Sequence, residues 1–237
     1  MNLSPTTTSG SDSPEPSADK LSQNRFVMER VRAAILSGKL EPGARLSIAT
    51  LAEEFAVSAG AVREALAMLE VEALVTSSPS RGYRVSSASV QDFGYLVEAR
   101  IALEKLCLAN AIAEGDLAWE GAIVAAFHQL KRARQMAQGD SFASVPSNFH
   151  TSFHRALVAG CNNPWLLRMY DMLYQQSERY RQLARSSATA ATRDVEHEHQ
   201  ELMEAVLARD VARTHVLIER HLRATLEQAT NRALQAE

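Results

Sequence analysis

Apolar residues recur at helical spacing along most of this 237-residue chain, and the period switches to β-type runs in one short stretch, residues 74–85. That switch constrains the fold more than any other feature. Before it, Val27, Val31, Ala34 and Ile35 share one stripe of a helix that begins near Arg25 and stops at Ser37–Gly38. A second short helix fits Ile48 to Phe55 behind Ser47 as N-cap, and a third runs from about Ala59 to Ala73 behind Ser58. In the third, Val62, Ala65, Leu66 and Leu69 form the stripe to be buried. The runs Leu74-Val75-Thr76 and Tyr83-Arg84-Val85, separated by Ser77 to Gly82, then read as a hairpin with a longer loop.

Three helices followed by a two-stranded wing predict a winged helix-turn-helix over residues 21–87. Residues 1–20, rich in Ser, Thr, Pro and acids, have almost nothing to bury and are expected to be a disordered tail. From Val90 onward the pattern is helical again, with segments at 90–114, 118–137, 142–160, 164–185, 191–208 and 211–234. Stripes such as Ile123/Phe127/Leu130 and Leu202/Val206 predict an all-α antiparallel bundle of about six helices over residues 88–237. The predicted fold class is thus mainly α.

Composition narrows the function. At 46% apolar content the chain is that of a soluble globular protein. No run approaches the roughly 18 apolar residues of a spanning helix, and the N-terminus lacks a basic-then-apolar signal, so a cytoplasmic protein without a membrane partner is expected. Cys107 and Cys161 stand in unrelated segments and match no redox or metal motif, which leaves them as packing thiols. The net charge is −3, yet residues 20–88 carry nine Lys/Arg against seven Asp/Glu. A local basic face decides DNA binding, so the total excludes nothing.

Four histidines carry the chemistry of the helical half. His150 and His154 are four apart on one predicted helix and share a face. His199 and His221 flank Arg209–Asp210 almost symmetrically, so a turn there brings their imidazoles level on antiparallel helices. Imidazoles converging from facing helices are how bundles hold divalent metals, zinc or nickel first among them. His128, His197 and His215 lie outside this arrangement, and chance i,i+4 pairing is the alternative.

The run Ile35 to Leu46, with Pro42-Gly43 and Leu46 inside it, followed by Leu51-Ala52, Val57-Ser58, Val62-Arg63-Glu64-Ala65-Leu66 and the wing Arg81-Gly82-Tyr83-Arg84-Val85, resembles the GntR family of bacterial transcriptional regulators. The helical half resembles that family's FadR-type branch with an FCD C-terminal domain. Arg100 and Glu104, Phe153-His154, Gly160-Cys161-Asn162, His199 and His221-Leu222 stand in its order, and six helices suggest the VanR-like subgroup. The resemblance implies a homodimer that reads a palindromic double-stranded operator. Its DNA contacts would come from Ser58, Ala59, Gly60 and Arg63 at the head of the third helix and from Arg81 and Gly82 in the wing. A helix N-terminus offers N–H groups and a hydroxyl to phosphate, Arg63 can reach a guanine edge or a phosphate, and Gly82 permits close backbone approach while Arg81 can enter the minor groove or hold phosphate. The chain departs from the family at Ala59 and Gly60, where Arg and Thr are usual, and at Ala49, so backbone, wing and DNA shape gain weight in recognition.

The same resemblance implies a metal set of His150, His154, His199 and His221 and a small organic-acid effector. His150 replaces the usual aspartate. It either makes a fourth neutral ligand, which strengthens attraction for an anion, or rotates away and leaves three histidines. Arg100 has two readings: a fork for an effector carboxylate, or an intrahelical pair with Glu104. Tyr170 and Tyr174 share a face and either line a pocket or pack in the core. The function expected is a ligand-responsive regulator, a repressor, and not an enzyme. A metal-dependent hydrolase-like enzyme and an architectural DNA binder are the alternatives, the first weakened by the absence of His-Glu-x-x-His, the second by the unexplained histidines.

Overall fold

The computed structural model describes residues 18–79, 81–136, 147–185 and 193–233. A winged head comes first, built from α1 (Ala18–Leu36), β1 (Arg45–Leu46), α2 (Ile48–Phe55), α3 (Ala59–Val71), β2 (Val75–Ser78) and β3 (Gly82–Val85). Six further helices follow among the described residues: α4 (Val90–Glu114), α5 (Leu117–Met136), α6 (Ser147–Val158), α7 (Pro164–Arg185), α8 (Val195–Leu207) and α9 (Val211–Ala233). The head has its own core around Val27, Val31, Ile35, Leu66 and Leu69, separate from the larger core of the bundle.

Local chemistry explains the head. Ser47 and Ser58 cap α2 and α3 as expected, accepting from the amides of Thr50 (3.3 Å) and Ala61 (3.1 Å). The wing, expected as two strands, is a three-stranded antiparallel sheet in the order β1-β3-β2, with Arg45 opposite Arg84 and Val75 opposite Val85. Two residues leave no alternating pattern to read. What recruits β1 is the turn at Pro42–Gly43, where Gly43 at φ +78° donates to Val85 O (3.0 Å) and Val85 donates to Ala44 O (2.9 Å).

Helix α1 starts at Ala18 rather than near Arg25, so the last residues of the expected tail are helical. Ala18, Lys20 and Leu21 are good helix formers without an apolar stripe, and periodicity does not register them. The rest of that tail, residues 1–17, lies outside the described residues, as do residues 142–146 of the expected third bundle helix. Helix α8 begins at Val195 instead of 191 because Asp194 caps it, accepting from the His197 amide (3.0 Å); residues 191 and 192 also lie outside the description.

In the bundle, α4 packs along α9 and α7, α5 along α6, and α8 along α9. The turn at Arg209–Asp210 is where the sequence places it: Arg209 takes φ +55°, and Asp210 accepts from the Arg213 amide to start α9. Cys107 and Cys161 are not in unrelated places, since the fold brings them together. Burial and the hydrogen-bonded thiol of Cys161 push the Cys107 thiol up to about 12, which makes Cys107 an inert packing group, and Cys161 is buried beside it.

Gly160 sets the approach of α6 to α4. A Cβ there would stand 2.9 Å from the Ala111 carbonyl oxygen and 3.1 Å from Gly115 Cα. Both are backbone atoms that cannot rotate away. Gly160→Ala is therefore expected to lower stability by about 1–3 kcal/mol, measured by urea unfolding, with wild-type stability showing that α6 can stand farther off.

Candidate metal centre and DNA-binding face

Helix α6 presents His150 and His154 on its buried side, and the α8–α9 turn brings His199 opposite His221, their ring centroids 4.9 Å apart. One potential ligand atom from each of the four lies within 4.8 Å of every other. His154 Nε2 and His199 Nε2 are 3.2 Å apart. Two nitrogens bound to one zinc at about 2.0–2.1 Å in tetrahedral geometry stand roughly 3.3 Å apart. That pair therefore already has the spacing of two ligands on one ion.

The cluster's surroundings keep it ready to ligate. Burial pushes all four imidazoles below the ordinary histidine range, and neighbouring imidazoles and guanidiniums, Arg181 beside His150 and Arg100 beside His154, act in the same direction. They are held neutral, the form with a lone pair to give. His221 Nδ1 lies 2.8 Å from Glu198 Oε2. A carboxylate only accepts, so Nδ1 carries the proton and Nε2 keeps the lone pair. Although burial works against it, hydrogen bonds from His221 and Arg193 hold the Glu198 carboxyl down at about 2. The Tyr174 hydroxyl, 2.8 Å from His150 Nδ1, orients that ring in a similar way.

His150 thus sits with the other three. The remaining histidines lie elsewhere: His128 and His197 are exposed, and His215 bonds the Lys105 carbonyl (3.0 Å). Arg100 makes the pair with Glu104 (Nε to Oε1, 2.7 Å), but in the interior, where it also donates to Ser177 Oγ (2.5 Å) and lies 4.9 Å over the Tyr174 ring. The few tenths of a kcal/mol of an exposed i,i+4 pair do not apply here, since breaking a buried pair costs about 3–5 kcal/mol. Tyr170 and Tyr174 are both core residues, and the hydroxyl of Tyr174 also reaches the cluster.

Sequence reasoning missed Ser177, Arg181 and Glu198. The first two had a signal, because Tyr170, Tyr174, Ser177 and Arg181 fall at i, i+4, i+7 and i+11 on α7 and all four are buried. Polar residues on an inward stripe mark a buried polar cluster. Glu198 had none, since its partner His221 lies on another helix.

In the head, α3 buries Val62, Ala65, Leu66 and Leu69 and leaves Ser58, Ala59, Gly60 and Arg63 exposed. The Ser58 Oγ is occupied as the helix cap but keeps its own proton to donate. Among the described residues Arg63 has no hydrogen-bond or ion-pair partner. Arg81 and Gly82 are exposed in the wing turn, Gly82 at φ +67°, a conformation that favours glycine. Ala49 is exposed on α2.

Residues 23–85 match the model of the bacterial regulatory proteins of the gntR family, and residues 95–224 match the FCD domain. The chain is 35% identical to the HTH-type transcriptional regulator BphR of Paraburkholderia xenovorans (strain LB400), covering 90% of this chain and 88% of that protein. It is also 35% identical to the HTH-type transcriptional repressor GlaR of Escherichia coli (strain K12), over 79% of this chain and 87% of that protein. The crystal structure of a GntR transcriptional regulator from Rhodococcus sp. RHA1 has the same fold, with a TM-score of 0.73 at 21% identity, over 89% of this chain and 98% of that one. No described helix is long and apolar enough to cross a membrane. The family and these relatives are transcriptional regulators, so the hydrolase reading of the histidines falls away. The chain belongs to the GntR family of bacterial transcriptional regulators, with a winged helix-turn-helix followed by an FCD domain.

Proposed function

We propose that the protein is a cytoplasmic, homodimeric repressor whose FCD domain holds a divalent metal on His150, His154, His199 and His221 and responds to a small carboxylic acid. The convergence of four buried, neutral imidazoles within 4.8 Å carries this reading. The donor set suits zinc or nickel, as neutral nitrogens on a rigid frame do. A bound divalent ion would supply positive charge and coordination positions for a carboxylate. The chain adds the rest: four neutral ligands leave that charge undiminished, and Arg100 has more N–H donors than its bonds to Glu104 and Ser177 use. Six FCD helices among the described residues support the VanR-like subgroup. Repression is supported by the relative named as a repressor.

On DNA, two heads related by a dimer axis would read a palindrome. Ser58 and the backbone at Ala59 and Gly60 would meet phosphate at the head of α3, Arg63 a base edge, and Arg81 with Gly82 the minor groove. This assignment is supported by the exposure of these residues on a helix whose other side is buried.

Arg63→Ala is expected to lose roughly 1–3 kcal/mol of operator binding with an unchanged circular dichroism spectrum, and full affinity in gel-shift titration would remove Arg63 from the contact set. His199→Ala and His221→Ala should each lose the bound metal and the acid response, whereas His150→Asp should keep metal and bind an anion more weakly. Elemental analysis and calorimetry with a panel of carboxylic acids read both quantities. Because burial lowers the histidine pKa values, protons compete only below the ordinary value of about 6.5. Metal should accordingly be retained at neutral pH and released in acid, below the ordinary histidine value of about 6.5. Stoichiometric metal and a normal response in both alanine variants would refute the site.

A further inference from the structure

Helix α7 faces two ways. One side sends Tyr174, Ser177 and Arg181 toward the histidine cluster, while Gln176 reaches the end of α3, Arg179 the segment that joins head to bundle, and Tyr180 the start of α4. Arg179 is 4% exposed. It donates to the Ser87 carbonyl oxygen (2.9 Å), more weakly to that of Ser86 (3.4 Å), and to the Tyr180 hydroxyl (3.2 Å). Tyr180 in turn donates to Asp92 at the start of α4, and its ring stacks on Phe93 with centroids 4.6 Å apart. Gln176 donates to the Glu72 carbonyl at the end of α3, and the Glu72 carboxylate pairs with Arg32 of α1.

Among the described residues no carboxylate pairs with Arg179. A desolvated cation therefore depends on two successive linker carbonyls and one hydroxyl, and losing the linker would strand it. Strand β3 ends at Val85, immediately before this grip, so the wing cannot turn freely while Ser86 and Ser87 are held. A planar fork spans two neighbouring carbonyls, which a point-charge ammonium does not.

We propose that Arg179 is the positioning residue that fixes the DNA-binding head on the bundle, by gripping the Ser86–Ser87 backbone from the helix that also packs against the histidine cluster. The grip needs no metal. Its failure would leave the reading of the histidine site intact, and loss of that site would leave the grip.

The test is hydrogen exchange, read by mass spectrometry on the full-length chain, in wild type, Arg179→Met and Arg179→Lys. Methionine keeps volume and removes every donor, so the variant folds without a stranded charge. Exchange over residues 84–92 should speed up by roughly tenfold, the equivalent of one lost charged hydrogen bond, while residues 25–70 and 195–225 keep wild-type rates. Lysine should not restore the linker rate. Binding to a duplex selected by the wild-type protein from a random pool should weaken in Arg179→Met, with the salt slope unchanged because the phosphate contacts are untouched. Unchanged linker exchange, acceleration spread evenly over head and bundle, rescue by lysine, or undiminished affinity for the duplex would each overturn the proposal.

Discussion

Burying four imidazoles beside two guanidiniums in the interior of a helical bundle sets terms that the surrounding residues must meet. Desolvation alone pushes the histidines toward neutrality, and Arg100 and Arg181 nearby reinforce it. Each polar group then needs a partner. Glu198, drawn down by Arg193 and His221, fixes one tautomer; Tyr174 meets His150; Glu104 and Ser177 receive Arg100. A polar centre of this kind is expensive unless satisfied, and here α4, α6, α7, α8 and α9 each contribute to satisfying it.

The same requirement explains the architecture around it. Helix α4 runs along both α7 and α9, and so places Arg100 between the helices that carry Ser177 and His221. Gly160 lets the end of α6 approach α4 closely enough to hold His150 and His154 inward. Helix α7 then extends from the histidine cluster to the linker, so one rigid element touches both the candidate effector site and the DNA-binding head. Communication between two sites requires a physical element that both can bias, and α7 has the placement for one.

Much of this was legible in the chain. The helix boundaries at Ser47, Ser58 and Arg209–Asp210 follow from capping and turn chemistry, which acts within a few residues. The pairing of His199 with His221 followed from that turn and from constant rise per residue. The inward stripe of α7 was present as spacing, although its polar members went unread. Strand β1 was illegible because two residues carry no period, and the early start of α1 because its first turns have no apolar stripe to show.

Sequence by itself determined the mainly helical class, the β hairpin of the wing, the caps, the antiparallel turn and which histidines share a face. These depend on intrinsic propensity and on each residue's own burial, and both leave a local periodic record. Only the tertiary structure decided that Glu198 orients His221, that Arg100 is buried against Ser177, that Cys107 meets Cys161, and that Arg179 holds the linker carbonyls. Periodicity says that a side chain points inward. It does not say which distant residue, or which backbone carbonyl, will be waiting there, because that depends on how separate helices pack against one another.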